Sequence, residues 1–437
     1  MVRDLWALRL QTLQSRASYD SESEAEHGSQ MYSSQSEGEA TDVSIKSKTR
    51  RAKTEAMPQL VDALSYCYIG VLLLRLPTTV CDLYQWAASG ELVYYRAIRD
   101  LAWSMRQKLP FNFSQTLDPQ KALKSSTLHQ AVSDNISAYH QSFGMQVPAI
   151  NHILILYRWI GSLALPLEVY AAVTRLAKIL DTCFSYEVEG QGRLSRLRVL
   201  RIPEAKLMGL IVIATKLLFP FDGIKRHPKT PTDLSAMTMD WSAWCTARKE
   251  HDGSMSDVGN LKYEDALRTS ENDVLEMSND KLDEYMDWYA STLVNEDVRE
   301  TGRLGKEAEF RRAMFRFFPI DRPTDHDAQP DQATLRDKVS EIGAKRTRDV
   351  QAALRASKII KDDETPKKGE IIHRPGSRYK RFREAGELSG YAEEFYKDAA
   401  KVSGLSLQSL VQCVFSLERR LQEWEEDARK GIDQIDE

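Results

Sequence analysis

Hydrophobic positions along this chain gather into runs with helical spacing, and strand-like alternation is nowhere sustained. Two runs differ from the rest because apolar residues cover every face. The first, residues 58–76, contains Tyr68-Ile69-Gly70-Val71-Leu72-Leu73-Leu74; the second, residues 203–218, contains Leu207-Met208-Gly209-Leu210-Ile211-Val212-Ile213-Ala214. Pro58 and Pro203 sit in the first turns, where a helix tolerates the missing N–H. Pro77 and Pro220 follow the last turns, where a helix cannot continue. A helix with no polar face has to be wrapped by others, so each run is expected at the centre of its own helical unit. Further helices are predicted at 2–16, 79–89, 92–101, 119–142, 148–161 and 166–185. More polar ones follow at 260–268, 280–294, 304–318, 334–358, 388–402 and 405–430. The expected fold is all-α with long inserted loops.

The stretches between these runs divide the chain. From Ser18 to Asp42 the sequence is rich in Ser, Glu and Gly and carries seven acidic residues with no Lys or Arg. Residues 18–56 are therefore expected to be a disordered insertion, lacking the apolar area that offsets ordering entropy. Its serines Ser21, Ser23, Ser33, Ser34 and Ser36, set among acids, are candidates for phosphorylation. The run Lys46, Lys48, Arg50, Arg51 and Lys53 reads either as a solvated linker end or as a nuclear import signal or phosphate contact. Residues 187–201 are a polar, arginine-bearing connection. Residues 223–262, rich in Pro, Thr, Ser and Trp without clear periodicity, read as a loop insertion. Residues 320–333 are a second polar segment. Three regions result: 1–142, 145–320, and a charged linker with a helical C-terminal extension at 321–437.

The net charge of −4 over 437 residues gives no global attraction to nucleic acid, so any basic surface has to be local. Two tracts qualify. Arg193, Arg196, Arg198 and Arg201 lie just before the second apolar run. They read as an exposed solvated arm or as an edge that follows phosphates, because the guanidinium fork matches phosphate geometry. In Arg374-Pro-Gly-Ser-Arg-Tyr-Lys-Arg-Phe-Arg383 a Pro-Gly turn precedes Arg378, Lys380, Arg381 and Arg383, with Tyr379 and Phe382 interleaved. Either the rings simply dock the loop, or cations and rings together grip nucleic acid. Such contacts meet phosphates rather than base edges.

Chemistry-bearing motifs are absent from the sequence. Cys67, Cys81, Cys183, Cys245 and Cys413 are widely spaced and form no Cys-x-x-Cys, so neither a zinc knuckle nor a dithiol motif is supported. Gly190-Gln-Gly192 has no third glycine and no preceding strand. His129, His140 and His152 fall in separate helical segments. No catalytic residue, cofactor or structural metal is expected. The two apolar runs are interrupted by Asp62 and Arg75 and by Lys206 and Lys216. Each is therefore shorter than the ~20 apolar residues a membrane helix needs, and no membrane role is expected.

Several strings are similar to a fungal RNA polymerase I core-factor subunit related to transcription factor IIB, the Rrn-seven family. They are Val2-Arg-Asp-Leu-Trp-Ala-Leu-Arg-Leu-Gln11, Leu60 through Tyr95, Ile202 through Asp222, and Arg374-Pro-Gly-Ser-Arg-Tyr379. The resemblance implies two tandem cyclin-like helical repeats, each built around one of the apolar runs. The first would be incomplete, with Met1 falling inside its second helix. It implies a non-enzymatic initiation factor at the ribosomal RNA gene promoter. The partners it implies are the other core factor subunits, RNA polymerase I, TATA-binding protein and promoter DNA, and the location is the nucleus and nucleolus. Full-length members bind zinc through an N-terminal ribbon, which does not carry over to this chain. Two other readings stay open: a cyclin-like regulatory subunit of a kinase, and a helical structural adaptor with no nucleic-acid role.

Overall fold

The computed structural model describes residues 1–12, 59–119, 122–188, 197–258, 266, 269, 273–274, 277–292, 332–361 and 372–433. The expected insertion 18–56, including the basic run 46–53, and the expected helix 304–318 lie outside the described residues.

A first group of helices is organised around α2 (Leu60–Leu73). α1 (residues 2–12), α3 (Val80–Ser89) and α6 (Ser125–Phe143) belong to it. Thr79 starts α3 with a reciprocal cap: its hydroxyl accepts from the Asp82 N–H, and the Asp82 carboxylate accepts from the Thr79 N–H at 2.7 Å. α6 packs along α2. Asn135 donates to Asp62 (2.9 Å) and Ser65 (2.6 Å), and the Tyr139 hydroxyl reaches back to the Leu5 carbonyl (2.7 Å). Burial along α2 is uneven. Tyr66, Tyr68 and Ile69 are fully enclosed, but half of the helix is only partly covered, and Leu74 and Leu76 beyond it are exposed.

The second group surrounds α9 (Pro203–Leu218), whose first fourteen residues are all buried. α7 (His152–Ser162) and α8 (Glu168–Ile179) precede it. The C-terminal pair α13 (Tyr391–Ser403) and α14 (Leu407–Asp433) packs directly on it. The C-terminal helices thus complete the wall around α9 rather than trailing from it. Leu410, Val411, Cys413, Val414 and Leu417 of α14 are all buried there. Gly209 marks the closest approach. A methyl at this position would sit 2.7 Å from Leu417 Cδ1 and 3.4 Å from Cys413 Sγ. Gly209→Ala is therefore expected to lose about 1–2 kcal/mol in chemical denaturation, overpacking outweighing the helix preference of alanine. A stabilised variant would mean that α9 and α14 separate freely.

Several elements differ from expectation. The expected helix 92–101 is reduced to a 3₁₀ turn at Ala97–Asp100, because Gly90 and Arg96 both adopt left-handed backbone. Two short helices, α4 (Trp103–Arg106) and α5 (Phe111–Thr116), follow it. The helix expected at 166–185 stops at Ile179, where Asp181 turns left-handed and the Thr182 N–H returns to the Ala177 carbonyl. The loop expected at 223–262 contains α10 (Trp241–Val258). Asp240 caps it through the Ser242 and Ala243 N–H groups, and Trp241, Trp244 and Ala247 face inward. α11 (Asn279–Thr292) and α12 (Gln332–Ala352) follow, and α12 lies along α10. A two-residue ladder, Met237–Thr238 with Arg355–Ala356, ties the start of α10 to the end of α12.

Candidate nucleic-acid interface

The described part of the first tract, Arg198–Arg201, and loop 374–383 lie at opposite ends of α9. Its 16 residues make them about 24 Å apart along the helix axis.

At the N-terminal end Arg198 and Arg201 belong to a 3₁₀ turn, Arg198–Arg201, anchored by buried Leu200. Arg193 and Arg196 lie outside the described residues. The turn walls a cavity of about 410 Å3 between α6 and the α13–α14 connection. This is not a rail of cations. Asp134 and Glu187 line the same cavity, and Glu187 is held by the buried Lys206 ammonium at 2.8 Å.

At the C-terminal end, loop 374–383 is fixed at several points. Arg374 donates to the His227 and Ile360 carbonyls (3.2 and 2.6 Å). Arg226 donates to the Ser377 carbonyl (3.0 Å) while forking onto Asp222 (2.6 and 2.8 Å). That fork holds the Asp222 carboxyl below its usual range. Gly376 and Arg378 both take left-handed backbone, at φ 81° and 52°. The aromatic residues turn inward. Phe382 is buried, edge-on to Tyr396, and the Tyr379 hydroxyl donates to Glu418 at 2.5 Å. Glu418 also accepts from Lys216 at 2.5 Å, and the Lys216 ammonium sits 4.5 Å from the Tyr379 ring centre and 4.9 Å from that of Phe382. Burial pulls the Lys216 pKa down and pushes that of Tyr379 up.

The rings therefore dock the loop, and Arg378, Lys380, Arg381 and Arg383 are left exposed. Arg381 bonds Gln422, and Lys380 lies over the Phe382 ring at 5.2 Å. Arg378 and Arg383 make no side-chain ion pair among the described residues. Arg378, Lys380, Lys216 and Arg226 line a cavity of about 220 Å3, where Asp222, already saturated by Arg226, is the one lining carboxylate. Lys216 and Arg226 had no local signal marking them for this place. The Arg226 contact to Ser377 spans 151 positions and that of Lys216 to Glu418 spans 202.

The described residues do not fit a zinc site. The five cysteines are free, and no group of three His, Cys, Asp or Glu among the described residues is placed to hold a metal. No helix among them is long and apolar enough to cross a membrane.

Comparison with known proteins bears on both helical groups. The family model described as Rrn7/TAF1B, N-terminal cyclin domain, matches residues 1–102, and Rrn7/TAF1B, C-terminal cyclin domain, matches residues 121–293. The chain thus carries two cyclin domains in an all-α fold. The second match takes in α6, although α6 packs on α2 and α3 of the first group. The RNA polymerase I-specific transcription initiation factor rrn7 of Schizosaccharomyces pombe is 24% identical over 321 residues, 68% of this chain. The chain spans 58% of that protein's length. A chain of the S. cerevisiae core factor crystal structure aligns over 86% of this chain and 83% of its own, at 14% identity and a TM-score of 0.42.

Proposed function

Because the chain belongs to the Rrn7/TAF1B family of cyclin-domain proteins, we propose that it is an RNA polymerase I transcription initiation factor. In this reading it is a core factor subunit that binds the ribosomal RNA gene promoter and helps recruit RNA polymerase I. The observation that carries the proposal is the match of both cyclin domains to one family, in order along one chain. The name of the S. pombe relative supports the same reading. The chain would work as a scaffold in the nucleus and nucleolus, with no reaction of its own. It would contact the other core factor subunits, TATA-binding protein, the polymerase and promoter DNA. The direct test is promoter-directed RNA polymerase I transcription in an extract depleted of this protein. Restoration on adding the purified chain with its partner subunits is expected, and no restoration would refute the role.

Of the two basic tracts, loop 374–383 suits DNA better. Its cations are exposed, its rings hold it rigid, and in the adjoining cavity Arg226 and Lys216 are already paired with Asp222 and Glu418, which leaves Arg378 and Lys380 for an incoming phosphate. Phosphate contacts of this kind give weak, salt-sensitive and largely sequence-independent binding. Each contact removed lowers the slope of log affinity against log salt by about 0.9. Arg378→Ala with Arg383→Ala is therefore expected to flatten the slope by about 1.8, by the same rule, and to weaken all duplexes alike. Both side chains are exposed and make no ion pair among the described residues, so the variant should fold normally. Unchanged slope and affinity would remove the loop from the DNA path.

A further inference from the structure

The cavity beside loop 374–383 has an apolar floor that phosphate contact alone does not use. Pro220, Phe221 and Ala392 line it together with the cations Arg378 and Lys380. Phe221 is half-buried. Its ring packs on Trp241 and Phe395, at 4.5 and 5.4 Å between centres, and the residue also borders a neighbouring cavity. The volume of about 220 Å3 is many times the ~10–15 Å3 that one water needs. It leaves room for a planar ring of nucleobase size.

The charge around this floor selects an anion. Lys216 and Arg226, which also line the cavity, are paired with Glu418 and Asp222. Asp222 is the one carboxylate in the lining, so Arg378 and Lys380 are the cations left over. The backbone before Arg378 is fixed, because Arg226 donates twice to the Ser377 carbonyl, both times at 3.0 Å. Arg378 itself is held at φ 52°, a region that residues other than glycine rarely adopt. Lys380 and Arg383 continue the exposed row along the loop. Such a row suits successive phosphates of one strand, whereas a phosphorylated side chain presents only one. An anion joined to a flat apolar body is the chemistry of a nucleotide. Only outside a duplex is its base free to leave its neighbours and lie against a side chain.

We propose that this cavity seats one unstacked base of a single nucleic-acid strand. Arg378 and Lys380 hold the adjoining phosphates, and the base lies against Phe221 and Pro220. The inference deepens the DNA reading of loop 374–383 and rests on it. It makes the loop a grip for an opened strand as well as for the outside of a duplex.

The test is fluorescence polarisation of the full chain with three probes of equal length: an oligothymidylate, an abasic strand and a duplex. The first two carry the same phosphates and differ only in the bases. The wild type should bind oligothymidylate about tenfold tighter than the abasic strand, within what one stacked base supplies. Ser389 lines the cavity and is exposed, so Ser389→Leu takes up space there without touching the core. Phe221→Leu keeps an apolar side chain and removes the ring face. Both variants should lose the tenfold preference and keep the wild-type affinity and salt slope for the duplex. Equal binding of the two strands by the wild type overturns the proposal, and so does a preference that survives both variants. A phosphoserine peptide that binds more tightly than oligothymidylate, and is lost in Ser389→Leu, overturns it in favour of a phosphopeptide seat. Arg378→Ala with Arg383→Ala separates this inference from the reading beneath it. If that variant flattens the duplex slope while the wild type binds both strands alike, the DNA contact stands and the base seat falls. If it changes neither strand nor duplex binding, both fall.

Discussion

Lys216→Met is expected to destabilise the protein by about 3–5 kcal/mol in chemical denaturation, and Glu418→Gln by a comparable amount. The two side chains are 4% and 1% exposed and meet at 2.5 Å. Removing one charge leaves the other buried without its counter-ion, which costs more than the pair ever contributes. The double variant Lys216→Met, Glu418→Gln should recover most of the loss. It leaves no buried charge, and the amide oxygen still accepts from the Tyr379 hydroxyl. Such recovery is the coupling that a double-mutant cycle measures. Single losses below 1 kcal/mol would mean that water reaches the pair. The consequence extends to the loop, because Glu418 receives both Lys216 and Tyr379. The Lys216→Met single variant leaves Tyr379 its acceptor and should preserve the loop's DNA slope. Glu418→Ala removes that acceptor and should weaken DNA binding along with stability.

Charged residues inside α9 mark the boundary of what the sequence can reveal. Its apolar run and its prolines made the helix legible to the residue, since burial on all faces needs only local composition. Glu204, Lys206 and Lys216 within it read as interruptions. In the structure each is buried, with its partner at Tyr68, Glu187 or Glu418 respectively, and no spacing rule links positions 136, 19 and 202 apart. α10 was missed for a different reason. Trp241 and Trp244 pack against Phe395 of α13, so the helix is held by a distant aromatic cluster rather than by a continuous apolar stripe of its own. At the candidate site the exposed cations of loop 374–383 were legible because charge on a Pro-Gly turn has to face water. The docking of Tyr379 and Phe382 was one of two open readings, and only the position of Glu418 and Tyr396 decides between them.

The junction of the two helical groups should respond to pH in opposite directions when its two buried titratable groups are changed. Glu204 Oε1 accepts from the Tyr68 hydroxyl at 2.5 Å and from the Val80 N–H, at the first turn of α3, at 3.0 Å. His129 Nε2 lies 3.9 Å from Glu204 Oε2, and neither atom completes a hydrogen bond. Burial raises the Glu204 pKa from 4.5 to about 7, partly offset by the Tyr68 and Val80 bonds. Between these values the folded state keeps a proton that the unfolded chain releases. Stability from this group is therefore full below pH 4.5 and is lost as pH rises through 7, by about 3 kcal/mol at 1.36 kcal/mol per unit. His129 works the other way. Its pKa falls from 6.5 to about 4, so stability from this group is present above 6.5 and lost as pH falls through 4. The two windows overlap, and in the wild type they largely cancel. Glu204→Gln keeps an oxygen for Tyr68 and Val80 and presents an N–H toward His129. Relative to wild type it should gain about 3 kcal/mol of stability as pH rises from 5 to 8. His129→Gln should show the reverse trend, gaining on the wild type as pH falls from 7 to 5. Glu204→Ala leaves a buried hydroxyl and a buried N–H without an acceptor, at about 1–3 kcal/mol each, and should be destabilised at every pH. Urea unfolding of the four proteins between pH 5 and 8 checks all of this. A Glu204→Gln difference that does not vary with pH would mean that the carboxylate is solvated and that the junction is held by packing alone.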